Sequence, residues 1–236
     1  MNGKFKAIGL ALIAVLALSA FSATAAQGAE VTAGAYPATL TGKDVKTKHG
    51  ELARLTIGNG ARYVECESAS LSATLAGPAG QTEVSVSPSY AGCFSNGLTA
   101  VPATVTVNGC TFKLHATTKT EGQATVVCPE GKQIEVHVYE NHTKHTENKP
   151  ICTYDIAAQG PITGAKLGVI NSGAANEGIS VNLAELAKFN VTSTMGPLSV
   201  CGVNGTSGHA ATTGSLRGEY HVTGTSGGVA TKVMLQ

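Results

Sequence analysis

The chain has 236 residues, of which 13% are charged and 42% are hydrophobic, and it contains no tryptophan. Its formal net charge is +1 at pH 7 without any basic run or patch, which argues against nucleic acid binding because phosphate neutralisation needs clustered Lys and Arg. Segments rich in Thr and Val between Gly and Asn turns favour short β-strands over disorder.

The first 26 residues have the three parts of a secretory signal peptide. Lys4 and Lys6 give a basic start, residues 8–20 are almost wholly apolar, and residues 23–25 form a small-x-small cleavage site. The apolar part is too short for a membrane span. We therefore expect residues 1–26 to be removed and the protein to be secreted, extracellular and without a transmembrane segment after cleavage.

The chain contains six cysteines: Cys66, Cys93, Cys110, Cys128, Cys152 and Cys201. An even number in an exported chain indicates up to three disulfides. Joining neighbours along the chain predicts the pairs Cys93–Cys110 and Cys128–Cys152, with Cys66–Cys201 across the fold. Such crosslinks would stabilise a protein that has few aromatic side chains to bury.

A hairpin is the clearest local structure and covers residues 103–114. Asn108-Gly109 is the preferred two-residue turn for a hairpin, because both positions need a positive φ. Alternation along the two strands places the cysteine on an apolar face. The residues of that face are Val105, Val107, Cys110, Phe112 and Leu114.

The same alternation predicts strands elsewhere in the chain. Within residues 132–140, three aliphatic side chains face one way and Glu135, His137 and Tyr139 face the other. A second hairpin is predicted at Gly227-Gly228, with Val222 paired to Val233. Residues 181–189 also fit a helical turn, so their state stays open.

These elements predict an all-β protein, an antiparallel β-sandwich with up to three disulfides. The pattern Cys-Thr-aromatic-x-aliphatic-x-Ala occurs at residues 110–116 and again at 152–158. The repetition fits two tandem β-rich modules, at 31–127 and 128–236. It also fits two core strands of one large domain over 31–236, and both readings stay open.

Three segments in the middle of the chain carry a family resemblance: Pro88-Ser-Tyr-Ala-Gly-Cys93, the stretch Ala103 to Phe112, and Cys128-Pro129. In these segments the chain resembles a set of secreted, six-cysteine β-rich proteins of actinomycete-type bacteria that have no known activity. The resemblance implies secretion and a β fold. It implies no activity and transfers no functional residue.

Histidines suggest one possible metal site. His137, His142 and His145 lie close together in the sequence, with Glu147 just beyond them. Imidazole nitrogens suit zinc, copper or nickel. The spacing matches no zinc signature, so the same pattern is also typical of a solvated loop.

Catalytic motifs are weak. Residues 224–228 match G-x-S-x-G, but a nucleophile elbow needs a strand-to-helix turn, and a Gly-rich hairpin turn fits better. Glu65 and Glu67 form the nearest pair of acids, and alternation places both on a solvated strand face opposite Cys66. No cofactor is expected.

The sequence therefore predicts a secreted, non-enzymatic, disulfide-stabilised protein that serves as a cell-surface or extracellular structural or binding module. Its partner would be an unknown extracellular ligand or a second copy of itself. Two alternatives stay open. One is an extracellular hydrolase whose site is assembled from distant strands, and the other is a metal-binding protein that uses the three histidines.

Overall fold

The structure, a computed structural model, describes residues 29–44, 53–57, 62–96, 101–139, 150–170, 178–183, 186–193, 201 and 210–236. Every regular element in these ranges is a β-strand, which confirms the all-β prediction. Of the described parts of residues 181–189, residues 181–182 and 186–189 lie in strands, and Leu183 lies in neither a strand nor a helical turn. No helix in the described ranges is long and apolar enough to cross a membrane.

The strands in chain order are β1 (Val31–Ala33), β2 (Ala38–Asp44), β3 (Ala53–Ile57), β4 (Arg62–Leu75), β5 (Glu83–Asn96), β6 (Val101–Thr106), β7 (Thr111–Ala116), β8 (Glu121–Val127), β9 (Ile134–Val138), β10 (Cys152–Ile156), β11 (Gln159–Ile170), β12 (Gly178–Asn182), β13 (Leu186–Ser193), β14 (Ala210–Arg217), β15 (Glu219–Ser226), β16 (Val229–Thr231) and β17 (Val233–Leu235). β1 and β17 form a separate two-stranded sheet.

The other 15 strands form one sheet that closes on itself. The first ring follows the order β12, β11, β8, β7, β5, β4, β2 and β15, and it closes because β15 also pairs with β12. The second ring follows β4, β5, β6, β9, β10, β13, β14 and β3, which pairs again with β4. The expected sandwich is therefore not clearly formed, since closure into an eight-stranded barrel removes the free edges that two separate sheets would keep.

The long strands β4 and β5 belong to both rings. The C-terminal part of β4 pairs with β2 and its N-terminal part pairs with β3. Where β2 gives way to β3, the Asp44 carboxylate accepts the Ala53 N–H at 3.1 Å. Each ring contains strands from both halves of the chain, and the division into domains stays a prediction.

The first predicted hairpin is confirmed only at its turn. Asn108 and Gly109 have φ values of 50° and 79°, and the Cys110 N–H donates to the Val107 carbonyl at 2.8 Å. Beyond the turn, β6 and β7 separate: both pair with β5, and they continue to β9 and β8 respectively. The turn reverses the chain, but closure of the rings decides which strands become neighbours.

The second predicted hairpin also forms only near its turn. Gly227 and Gly228 take positive φ, and β15 pairs with β16 from Gly224 opposite Thr231 to the turn. The predicted pairing of Val222 with Val233 is wrong, because β17 pairs with β1 and places Val233 opposite Ala33.

All six cysteines are in disulfides, but the predicted pairing is wrong. The pairs are Cys66–Cys93, Cys110–Cys128 and Cys152–Cys201, in place of the predicted Cys93–Cys110, Cys128–Cys152 and Cys66–Cys201. Strand register explains the first two pairs. Cys66 lies directly opposite Cys93 on β4 and β5, and Cys110 and Cys128 extend the β7–β8 ladder by one residue from Thr111 and Val127.

Candidate binding face

Two rows of small hydroxyl side chains lie on the outer surface of the first ring. On adjacent strands Thr223, Thr41, Ser72 and Ser87 lie opposite one another in one row. A second row contains Thr225, Thr39 and Thr74. All seven side chains are exposed, and we call them the hydroxyl face. It offers hydrogen-bonding groups but no ring and no charge.

The outer surface of the second ring is different, because it carries aromatic side chains. Phe94 on β5 lies opposite Glu65 on β4 and Pro102 on β6. On the other side of Pro102, the Tyr139 N–H donates to the Pro102 carbonyl at 2.9 Å. Tyr63 lies two residues before Glu65 on the same face of β4. We call the following set the aromatic face: Arg54, Tyr63, Glu65, Phe94, Pro102, Thr104, His137 and Tyr139.

The distribution of aromatic residues singles out this face. Among the Phe and Tyr side chains that the structure describes, five belong to the core or pack against it: Tyr36, Tyr90, Phe112, Tyr154 and Tyr220. The remaining three, Tyr63, Phe94 and Tyr139, all lie on the aromatic face and are half-buried. Tyr and Phe are enriched at interfaces, so this side is the candidate for a contact surface.

Arg54 fixes one end of the aromatic face. Its guanidinium donates to Glu65 Oε1 from Nε at 2.8 Å and from Nη2 at 2.5 Å. It also lies 4.2 Å from the centre of the Tyr63 ring, in a cation–π contact. The Glu65 side chain is only 12% exposed, so the prediction of a solvated Glu65 is wrong. Glu67, two residues on, is exposed as expected.

Tyr139 and His137 form the other end of the aromatic face. Their rings meet edge to face with centres 6.4 Å apart, and the Tyr139 hydroxyl lies 3.4 Å from the Thr104 hydroxyl. His137 Nε2 is 3.7 Å from a Glu135 carboxylate oxygen. As predicted, Glu135 and His137 alternate with buried aliphatic residues of β9.

The predicted histidine metal site is only partly within the described residues. His137 is described, and His142 and His145 lie outside the described ranges. No group of three His, Cys, Asp or Glu side chains in those ranges is placed to hold a metal ion. The metal site therefore stays a prediction.

A pair of carboxylates was not foreseen from the sequence. Glu135 on β9 lies directly opposite Asp155 on β10, which places their Cβ atoms about 5 Å apart. Asp155 is 9% exposed although it lies on the outer face of its strand. Only strand pairing brings these residues together, since 20 positions of sequence separate them.

Two cavities inside the rings are small and apolar. The first has a volume of about 50 Å³ and is lined by side chains that include Val105, Phe112 and Val136. The second has a volume of about 40 Å³ and is lined by side chains that include Leu40, Leu71 and Val181. Pockets that hold metabolite-sized ligands are several hundred Å³, so these interiors favour packing over ligand binding.

A buried polar cluster lies where the two rings meet. Burial raises the pKa of Tyr90 and of Tyr220 well above the ordinary value, and for Tyr220 the neighbouring Tyr90 and Asp44 raise it further. Burial also raises the pKa of Asp44, while backbone N–H groups of Ala53 and Glu219 oppose this effect. Both phenols stay protonated at neutral pH, which suits a structural role better than a nucleophile or base.

The G-x-S-x-G match lies in the β15–β16 turn, as expected for a Gly-rich hairpin. Ser226 ends β15 and pairs with Val229 across the turn. Because a strand and not a helix follows, the local geometry of a nucleophile elbow is missing there.

Comparison with protein families, curated proteins and solved structures finds no match to this chain. No relative therefore assigns a role to the aromatic face, and the resemblance to secreted actinomycete-type proteins stays a prediction.

Proposed function

We propose that this protein is a secreted, non-enzymatic extracellular binding module and that the aromatic face is its contact surface. The observation that carries the proposal is the location of Tyr63, Phe94 and Tyr139. They are the only described Phe and Tyr side chains outside the core, and they share one side of the molecule. Rigid rings held in a sheet lose little conformational entropy on binding, which favours them as anchors.

Secretion is supported by the leader-like residues 1–26 and is compatible with three intramolecular disulfides. Disulfides persist in oxidising extracellular surroundings. They also secure the scaffold of the face, because Cys93 directly precedes Phe94 and is crosslinked to β4. The aromatic face is therefore held on covalently joined strands.

The experiment compares retention of the protein by the envelope of its producing cells with release into the medium. We expect the wild type to be retained and the variant Tyr63→Ala/Tyr139→Ala to appear in the medium. The matched control, Thr41→Ala/Thr223→Ala, removes two side chains from the hydroxyl face and should be retained like the wild type. Equal distribution of all three proteins would contradict the proposal, provided that each variant unfolds at a similar temperature.

The Glu135–Asp155 pair favours a second candidate, an extracellular hydrolase. Two neighbouring carboxylates are the machinery of most glycoside hydrolases. Neither residue lines either cavity, so the cleft that this chemistry needs is not seen in the described residues. Activity on a polysaccharide that Glu135→Gln abolishes, with binding unchanged, would favour the hydrolase over the binding module.

A further inference from the structure

The chemistry of the aromatic face indicates the class of partner that it fits, if the face is the contact surface proposed above. The first property is its charge. Arg54 is already paired with Glu65 through two donors, and His137 lies near Glu135. A charged partner would have to compete with these internal pairs, at a cost in desolvation. The face therefore favours an uncharged partner.

The second property is its apolar surface, which consists of rings. Phe94 on β5, Pro102 on β6 and Tyr139 directly after β9 are successive neighbours. Neighbouring strands are about 4.8 Å apart, so the three rings follow one line of about 10 Å across the sheet. The large exposed aliphatic residues in the described ranges are Val127 and Val229, and neither belongs to this face. Insertion into a lipid surface needs protruding apolar residues and basic neighbours. Among the described residues of the face, the arginine is Arg54, and it is already paired with Glu65.

The third property is the set of hydrogen-bonding groups beside the rings. The Thr104 and Tyr139 hydroxyls lie 3.4 Å apart at one end, and each can donate or accept. The imidazole of His137 is 31% exposed and adds a nitrogen donor or acceptor next to them. A partner that adds hydrogen bonds to these groups presents hydroxyls beside a flat C–H surface.

We infer that the aromatic face binds an uncharged oligosaccharide whose sugar rings pack on Phe94, Pro102 and Tyr139. Pyranose rings combine flat C–H surfaces with hydroxyl groups at their edges, which are the two features that the face can satisfy together. The line of rings crosses three strands, so the chain of sugars lies across the strands and not along them.

The test measures binding of purified secreted protein to neutral oligosaccharides of glucose, mannose, xylose and N-acetylglucosamine. Isothermal titration compares them with polygalacturonate, as an anionic polymer, and with phosphatidylglycerol vesicles. We expect at least one neutral oligosaccharide to bind and both anionic probes to fail. Phe94→Ala and Tyr139→Ala should each weaken binding about tenfold, the loss expected for a ring anchor.

Two further variants separate binding from folding. Tyr139→Phe keeps the ring and should weaken binding less than Tyr139→Ala. Thr41→Ala/Thr223→Ala on the hydroxyl face should bind like the wild type. Preference for either anionic probe, or equal binding by wild type and Phe94→Ala, would overturn the inference. If none of the neutral sugars binds while the envelope experiment still requires Tyr63 and Tyr139, the binding module stands and the sugar class is wrong.

Discussion

Loss of the Cys152–Cys201 disulfide should destabilise the protein more than loss of Cys110–Cys128. The first bond joins residues 49 positions apart, and the second joins residues 18 apart. In the chain-entropy relation, loops of these lengths correspond to about 4 and about 3 kcal/mol of stabilisation. The double variants Cys152→Ala/Cys201→Ala and Cys110→Ala/Cys128→Ala should therefore differ by about 1 kcal/mol.

Burial of the cysteines predicts the same order for the two losses of stability. Cys152 and Cys201 are both fully buried, whereas Cys128 is only partly buried, so truncation leaves the larger unfilled space at the first pair. Cys201 is also held through its carbonyl, which accepts the Tyr154 hydroxyl at 2.8 Å.

Urea unfolding followed by circular dichroism measures the free energy of unfolding of each variant, with the slope recorded because a disulfide also changes the unfolded state. A larger loss in Cys110→Ala/Cys128→Ala would refute the reasoning. Equal losses would show that loop length does not set the contribution of these bonds.

Three other changes test local features. Gly109→Ala should cost about 1–2 kcal/mol because a side chain is strained at positive φ, while Gly77→Ala, in open space, should change the urea midpoint little. Arg54→Ala should cost roughly 1–2 kcal/mol by leaving Glu65 nearly buried and unpaired, and adding Glu65→Gln should recover part of the loss in a double-mutant cycle. Burial raises the pKa of Tyr220 in the folded state. Tyrosine in the unfolded state therefore ionises first as pH rises above about 10, and the free energy of unfolding should decrease there. Urea midpoints measured across this range should fall less steeply for Tyr220→Phe, and an unchanged slope would contradict the assignment.

Alternation predicted part of the local structure of this chain, although it wrongly placed Glu65 among solvated side chains. The buried and outward-facing sides of β9 are as the sequence indicates, with Ile134 and Val136 inside and His137 outside. The turns at Asn108-Gly109 and Gly227-Gly228 are also correct. Both depend only on residues within a few positions of each other.

Strand partners and disulfide pairs could not be predicted in this way. Thr106 and Thr111 are close in sequence, yet the strand of Thr106 (β6) pairs with β9 and the strand of Thr111 (β7) pairs with β8. The neighbour of each strand depends on how the rings close, and ring closure is a property of the whole set of strands. The Cys66–Cys93 disulfide follows from the register between β4 and β5. This register cannot be read from the spacing of cysteines along the chain.

The aromatic face was missed for the same reason. Tyr63, Phe94 and Tyr139 come from three separate segments, and only Tyr139 was assigned to a polar strand face from the sequence. Their common feature in the sequence is that each lies out of phase with the buried residues of its strand, such as Val64 or Val138. An aromatic residue at an outward-facing position of a strand could therefore have been used to predict this face from the sequence.

The two outer surfaces differ in the chemistry that they offer to a partner. The hydroxyl face and the aromatic face are both built on β4, since Ser72 lies on one and Tyr63 on the other. Alternation places Ser72 and Tyr63 on opposite faces of β4. The outward face of the strand therefore changes sides where its partner changes from β2 to β3. Hydroxyls on a sheet exchange water for a partner with little net gain, whereas rings gain from leaving water. The outer surface of the first ring combines the hydroxyl face with charged side chains such as Lys43 and the Lys113–Glu83 pair. The half-buried aromatic rings outside the core are instead collected on the second ring, which favours a contact on that side.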